Sequence, residues 1–141
     1  MTISEKDRDV LARTLWGEAR GEGLAGQIAV AWTIRNRVED GRGKSRWGEG
    51  YAGVCLKPYQ FSCWNKKDPN YPSLDGATEI SPEQLAQARR AADLVISGAE
   101  PDITKGATHY YATTMSKPPA WIAKAKQTLR MGNHVFFKDV P

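Results

Sequence analysis

The segment Leu24–Val38, LAGQIAVAWTIRNRV, is apolar on nearly every side when wound into a helix. Leu24, Ile28, Ala31, Ile34 and Val38 line one face, and Ala29, Val30 and Trp32 make the other apolar too. A helix with no polar face has to be surrounded by protein. A chain of 141 residues has room for one core. This segment is therefore expected at the centre of a single domain over residues 1–141, with the other elements packed around it. No apolar run approaches the roughly 20 residues needed to span a bilayer, so no membrane insertion is expected.

A second helix should precede it. Ser4 and Asp7 resemble a capping box with Asp in place of Glu. Val10, Leu11, Thr14 and Leu15 recur at helical spacing, and the Gly21–Gly23 turn should stop the helix near Glu18 or Ala19. Glu18 then sits at the inner end of a helix, against a buried neighbour, where a carboxyl pKa rises. A raised carboxylic acid is what glycoside cleavage uses to protonate a leaving oxygen. The competing reading is an ordinary surface glutamate. Glu22, four residues on, would share a face with Glu18 on an unbroken helix, but Gly21 interrupts it. Glu22 is expected to bond loop backbone at the edge of the substrate site rather than to act as a second catalytic carboxylate.

Residues 41–80 are rich in Gly, Pro and charge and read as loop, a plausible cleft wall. Within them PYQFSCW places aromatics around Gln60 and Ser62, a polar-plus-aromatic mix suited to sugar binding, with a core turn as the alternative. Asp68 and Asp75 lie in the same region with no evident role. Ser81, Pro82 and Gln84 mark the start of another helix, with a capping box, and Gly98 marks its end. ATHYYAT and HVFF read as short strands that pair with each other. Between them, Pro118 and Pro119 should open a short helix carrying Trp121, Ile122, Ala125 and Leu129. Alternation sends Tyr110 and Tyr111 to opposite faces, and Tyr111 is preferred for the cleft.

Cys55, Cys63, His109 and His134 are too widely spaced for a zinc site, whose ligand pairs are tighter. No metal and no cofactor are expected, and the cysteines are buried thiols or a disulfide. The net charge of +4 and pI of about 9.1 favour anionic partners. Arg35, Arg37, Arg42, Lys44 and Arg46, and Lys117, Lys124, Lys126 and Arg130, form modest basic clusters. They read equally well as solvated surface or as wall-binding patches. The start, MTISEKDRDV, lacks a basic head followed by an apolar stretch, so synthesis in a cytoplasm is expected; later release to the wall is implied only by the family resemblance that follows.

WGEARGEG followed by GQIAVAWTIRNRV is similar to the signature of the SleB-like cell-wall hydrolases, the spore-cortex-lytic type that also supplies bacteriophage endolysins. VCLKPYQFSCW, SPEQLAQARRAADLVISG, GATHYYA and GNHVFF continue the likeness in the same order. The resemblance implies a mainly α fold of the α+β class, lysozyme-like, with a small β-hairpin or sheet. It also implies cleavage of peptidoglycan glycan strands between N-acetylmuramic acid and N-acetylglucosamine by a lytic transglycosylase with Glu18 as sole acid/base. Gln60, Ser62, Tyr111 and Glu22 would then bind substrate, in a monomer with no nucleic-acid partner. The alternatives are a two-carboxylate hydrolytic muramidase, or a non-catalytic basic module that binds wall or nucleic acid.

Overall fold

The computed structural model describes residues 3–40, 47–58 and 60–140. Five helices come first: α1 (Glu5–Ala19), α2 (Leu24–Val38), α3 (Gly50–Leu56), α4 (Tyr71–Leu74) and α5 (Pro82–Ile96). Three strands follow, β1 (His109–Ala112), β2 (Lys126–Met131) and β3 (His134–Lys138). The fold is mainly helical with one small sheet, as expected. Among the described residues no helix is long and apolar enough to cross a membrane.

The capping box at the start of α1 is complete. Ser4 Oγ accepts from the Asp7 backbone N–H at 3.1 Å, and Asp7 Oδ2 accepts from the Ser4 backbone N–H at 3.1 Å. The other Asp7 oxygen accepts from the Ala52 backbone N–H, tying α3 to α1. Helix α2 is central. It packs against α1, α3, α5 and β1, and Ile28, Ala29, Val30, Ala31 and Ile34 are all buried. Leu11 and Leu15 of α1 are wholly buried in the same core; each such side chain contributes about 1.5–3 kcal/mol.

Three expectations are corrected. Residues 41–80 are not merely loop. They hold α3, α4 and a 3-10 turn at Ser62–Trp64, while residues 41–46 and Tyr59 lie outside the described residues. The glycines of α3 hid its helical character, which rests on burial of Tyr51, Val54 and Cys55. Ser81 makes no side-chain cap, and Gln84, instead of closing a capping box, accepts from Trp16 Nε1 at 2.8 Å. The element after Pro119 is a 3-10 turn over Ala120–Lys124 followed by strand β2, which takes Leu129. Both proposed strands exist and pair antiparallel, but β3 lies between β1 and β2. A register shift between Gln127 and Leu129 breaks the alternation of β2, so its sequence did not read as a strand.

The sheet has two unlike faces. Phe136 of β3 points into the main core. Val135 and Phe137 turn the other way and, with Val140, form a smaller cluster against Tyr111, Trp121, Ile122 and Ala125.

Candidate active site

Glu18 lies in the last turn of α1, half-buried. Three elements close on it. The first is α1 itself, where Gly17 clears space. A Cβ there would lie 2.7 Å from Cys63 Cβ and 2.8 Å from Cys63 Sγ, so only glycine lets the Ser62–Trp64 turn settle on the helix. Trp64 Nε1 fastens that turn by donating to Thr14 Oγ1 at 2.8 Å, and the Thr14 hydroxyl donates onward to the Val10 carbonyl at 2.7 Å. The third element is β1, whose Tyr110 hydroxyl donates to Glu18 Oε1 at 2.5 Å.

Burial pushes the Glu18 carboxyl above its ordinary value. Hydrogen bonding from Tyr110, and from the side chain and backbone of Cys63, opposes the shift, and the negative charge of Asp68 adds to it. Desolvation wins because the charged form has lost more water than the donors replace. Burial and the adjacent carboxylate also hold the Tyr110 phenol well above its normal range and raise the Cys63 thiol. Both remain protonated donors at neutral pH.

Arg37 of α2 holds the walls together. Its Nε donates to the Thr108 carbonyl at 2.7 Å and its Nη1 to Gln60 Oε1 at 3.1 Å. The guanidinium lies over the Trp47 and Phe61 rings, and burial lowers its pKa to about 10, which still leaves it charged. Asn36 donates to the Ala107 carbonyl at 2.9 Å. Together these bonds bring the start of β1 onto α2 and aim Tyr110 at the end of α1.

The sequence-predicted residues divide. Glu18 is at the end of α1, where the helix pattern put it, and its pKa is raised. Tyr111 is corrected: β1 presents Tyr110 to Glu18, and the Tyr111 ring stacks on Phe137 at 5.8 Å on the opposite face. Gln60 is corrected from cleft residue to brace. Its amide donates to the Trp47 and Val54 carbonyls at 2.7 and 2.8 Å while its oxygen takes Arg37. Ser62 is exposed beside the buried Cys63. Glu22 accepts from the Asn133 backbone N–H at 3.0 Å, the loop-backbone role its sequence suggested. The sequence alone offers Arg37 only as one of a basic cluster, Cys63 as a thiol and Tyr110 as the less favoured of two tyrosines, and assigns none of them to the site.

Cys55 and Cys63 are both buried free thiols. Among the described residues no three His, Cys, Asp or Glu side chains converge to hold a metal.

A desolvated carboxyl of raised pKa thus lies at the junction of the helical core and the small sheet, the kind of setting that keeps a carboxylic acid protonated. The chain belongs to the cell wall hydrolase family, whose sequence profile matches residues 21–137. Glu18 lies just before that span, but longer matches cover it. The spore cortex-lytic enzyme of Halalkalibacterium halodurans is 30% identical over 133 residues, 94% of this chain and 35% of the relative. That of Bacillus subtilis strain 168 is 31% identical over 134 residues, 95% of this chain and 38% of the relative. The chain thus spans well under half the length of these relatives. Among solved structures it is similar to the catalytic domain of the germination-specific lytic transglycosylase SleB from Bacillus anthracis, with a TM-score of 0.70 and 29% identity over 96% of each chain. The catalytic domain of the Bacillus cereus SleB protein gives 0.71 and 29%, covering 97% of this chain and 93% of that one.

Proposed function

We propose that the chain cleaves the glycan strands of peptidoglycan between N-acetylmuramic acid and N-acetylglucosamine, as a lytic transglycosylase with Glu18 as its one acid/base. The observation that carries this reading is the Glu18 carboxyl itself, desolvated, raised in pKa and bonded through one oxygen to Tyr110. Protonated Glu18 gives its proton to the glycosidic oxygen as the bond to C1 breaks. The carboxylate then takes the proton of the C6 hydroxyl as that oxygen closes onto C1. The product is a 1,6-anhydro end, with no water consumed, and a tethered nucleophile has a high effective concentration. The similarity to a structure described as a lytic transglycosylase supports this route.

One observation favours a second reading. Asp68 is near enough for its charge to act on Glu18, so hydrolysis with two carboxylates would draw on Asp68, since Glu22 is committed to the Asn133 backbone. Mass spectrometry of muropeptides released from purified peptidoglycan separates the two. Anhydro ends resistant to borohydride support the transglycosylase, and reducible ends heavier by one water refute it. The folded Glu18→Gln variant should release neither, at a loss on the order of 100-fold or more.

We further take the chain to act as a monomeric single domain and as an endolysin that reaches the wall after release from the cytoplasm. This rests on the family likeness of its first block and is tested by whether lysis of expressing cells requires a membrane-permeabilising partner.

A further inference from the structure

Glu22 is packed in a way that its distance from the chemistry does not explain. It follows α1, with its own N–H bonded to the Ala19 carbonyl at 2.9 Å. Two glycines on separate elements make room for its side chain. A Cβ on Gly26 of α2 would lie 2.6 Å from Glu22 Cβ. A Cβ on Gly132, in the turn between β2 and β3, would overlap Glu22 Oε2, and Gly132 has φ of 56°. The carboxylate is thus enclosed between the first turn of α2 and the tip of the β2–β3 hairpin.

The carboxylate grips the tip of the hairpin. Glu22 Oε1 accepts from the Asn133 backbone N–H at 3.0 Å and lies 3.4 Å from His134 Nδ1. His134 is buried and its Nδ1 makes no hydrogen bond, so it meets Glu22 as a close contact. Its ring meets Tyr110 edge to face at 5.0 Å and Phe136 at 6.2 Å. Tyr110 in turn donates to Glu18. A continuous path of contacts therefore runs from Glu22 through His134 to Tyr110 and Glu18.

We propose that Glu22 is a positioning residue: by holding the Gly132–Asn133 turn and His134, it sets the Tyr110 hydroxyl against Glu18. The proposal rests on the reading of Glu18 as the acid. Glu22 touches no reacting atom. It removes the freedom of a hairpin that would otherwise carry its end of the sheet, and Tyr110 with it, away from α1.

The test combines kinetics on purified peptidoglycan with carbon NMR of the full chain labelled at the tyrosine Cζ, the Tyr110 signal being assigned by its loss in Tyr110→Phe. Glu22→Ala should lower kcat on the order of 10- to 100-fold with KM nearly unchanged, and should move the Tyr110 signal. Glu22→Gln, which keeps an oxygen for Asn133, should recover most of both. In the Tyr110→Phe background Glu22→Ala should cost far less than it does alone, since both changes break one path. Should Glu22→Ala not fold, Gly132→Ala opens the same grip from the hairpin side and should give the same loss and the same signal change. A folded variant with an unmoved Tyr110 signal, or with an undiminished cost in the Tyr110→Phe background, overturns the proposal. If Glu18→Gln keeps full lysis, the reading of the acid fails and the positioning role with it; the Tyr110 signal then still reports whether the grip itself exists.

Discussion

Tyr110 and Glu18 are 92 residues apart in the chain and 2.5 Å apart at their oxygens. Tyr110 is the donor, so the bond favours the charged carboxylate, while burial favours the neutral acid. The site holds its acid between these two pulls, and burial is the stronger.

That imbalance makes stability depend on pH. The folded Glu18 carboxyl has a pKa above the ordinary 4.5. Between that value and the folded one, the native state binds more protons than the unfolded chain. Its contribution to stability is therefore full below about 4.5 and is lost as pH rises through the folded pKa. Glu18→Gln has no such loss, and its amide oxygen can still accept from Tyr110. Melting curves from pH 4 to 8 should show the variant gaining on the wild type by a few degrees as pH rises. A constant gap would refute the raised pKa, because other titrating groups are common to both chains.

Tyr110→Phe keeps the ring and removes the donor. The carboxylate loses stabilisation, so Glu18 should stay protonated to higher pH. The alkaline limb of the rate profile should move upward, and the peak rate should fall about tenfold or more. Tyr111→Phe should do neither, since its ring belongs to the cluster with Phe137 on the other face. Lysis rates across pH on purified peptidoglycan decide it, and an equal effect at both positions would be the contrary result.

Arg37→Lys tests the brace. An ammonium cannot reproduce a planar fork that reaches the Thr108 carbonyl and Gln60 at once. The unmet buried groups should cost about 1–3 kcal/mol, read as a lower denaturation midpoint. Stability within error of wild type would show that Arg37 carries no such load.

Dialysis against a strong chelator should leave lysis unchanged. Loss of activity restored by zinc would bring Cys55, Cys63, His109 and His134 back as ligands, with a rearrangement to gather them.

The elements legible in the sequence are those with strong local signals. Ser4 and Asp7 announced α1, and an unbroken apolar surface announced α2 as the core helix. Glu18 followed from the end of α1, although the Ser62–Trp64 turn and β1 that close on it did not. What could not be read depends on contacts distant in sequence. Strand alternation showed that Tyr110 and Tyr111 part ways, yet which one meets Glu18 depends on how β1 docks on α2. Gln60 offers the same amide to a sugar as to a carbonyl, and only the fold shows that Trp47, Val54 and Arg37 use it. Arg37 looked like one more surface cation in a basic stretch, although Phe61 and Trp47 enclose it.

The strand order β1-β3-β2 has a consequence for synthesis. Strand β1 carries Tyr110, but its partner in the sheet is β3, made some 20 residues later as the last of the three strands. A nascent chain can bury α1, α2 and α5 and still lack a fixed donor for Glu18. The acid is in place early and its setting is completed late. For an enzyme directed at a cell wall, that order delays a finished site until the chain has been made through β3.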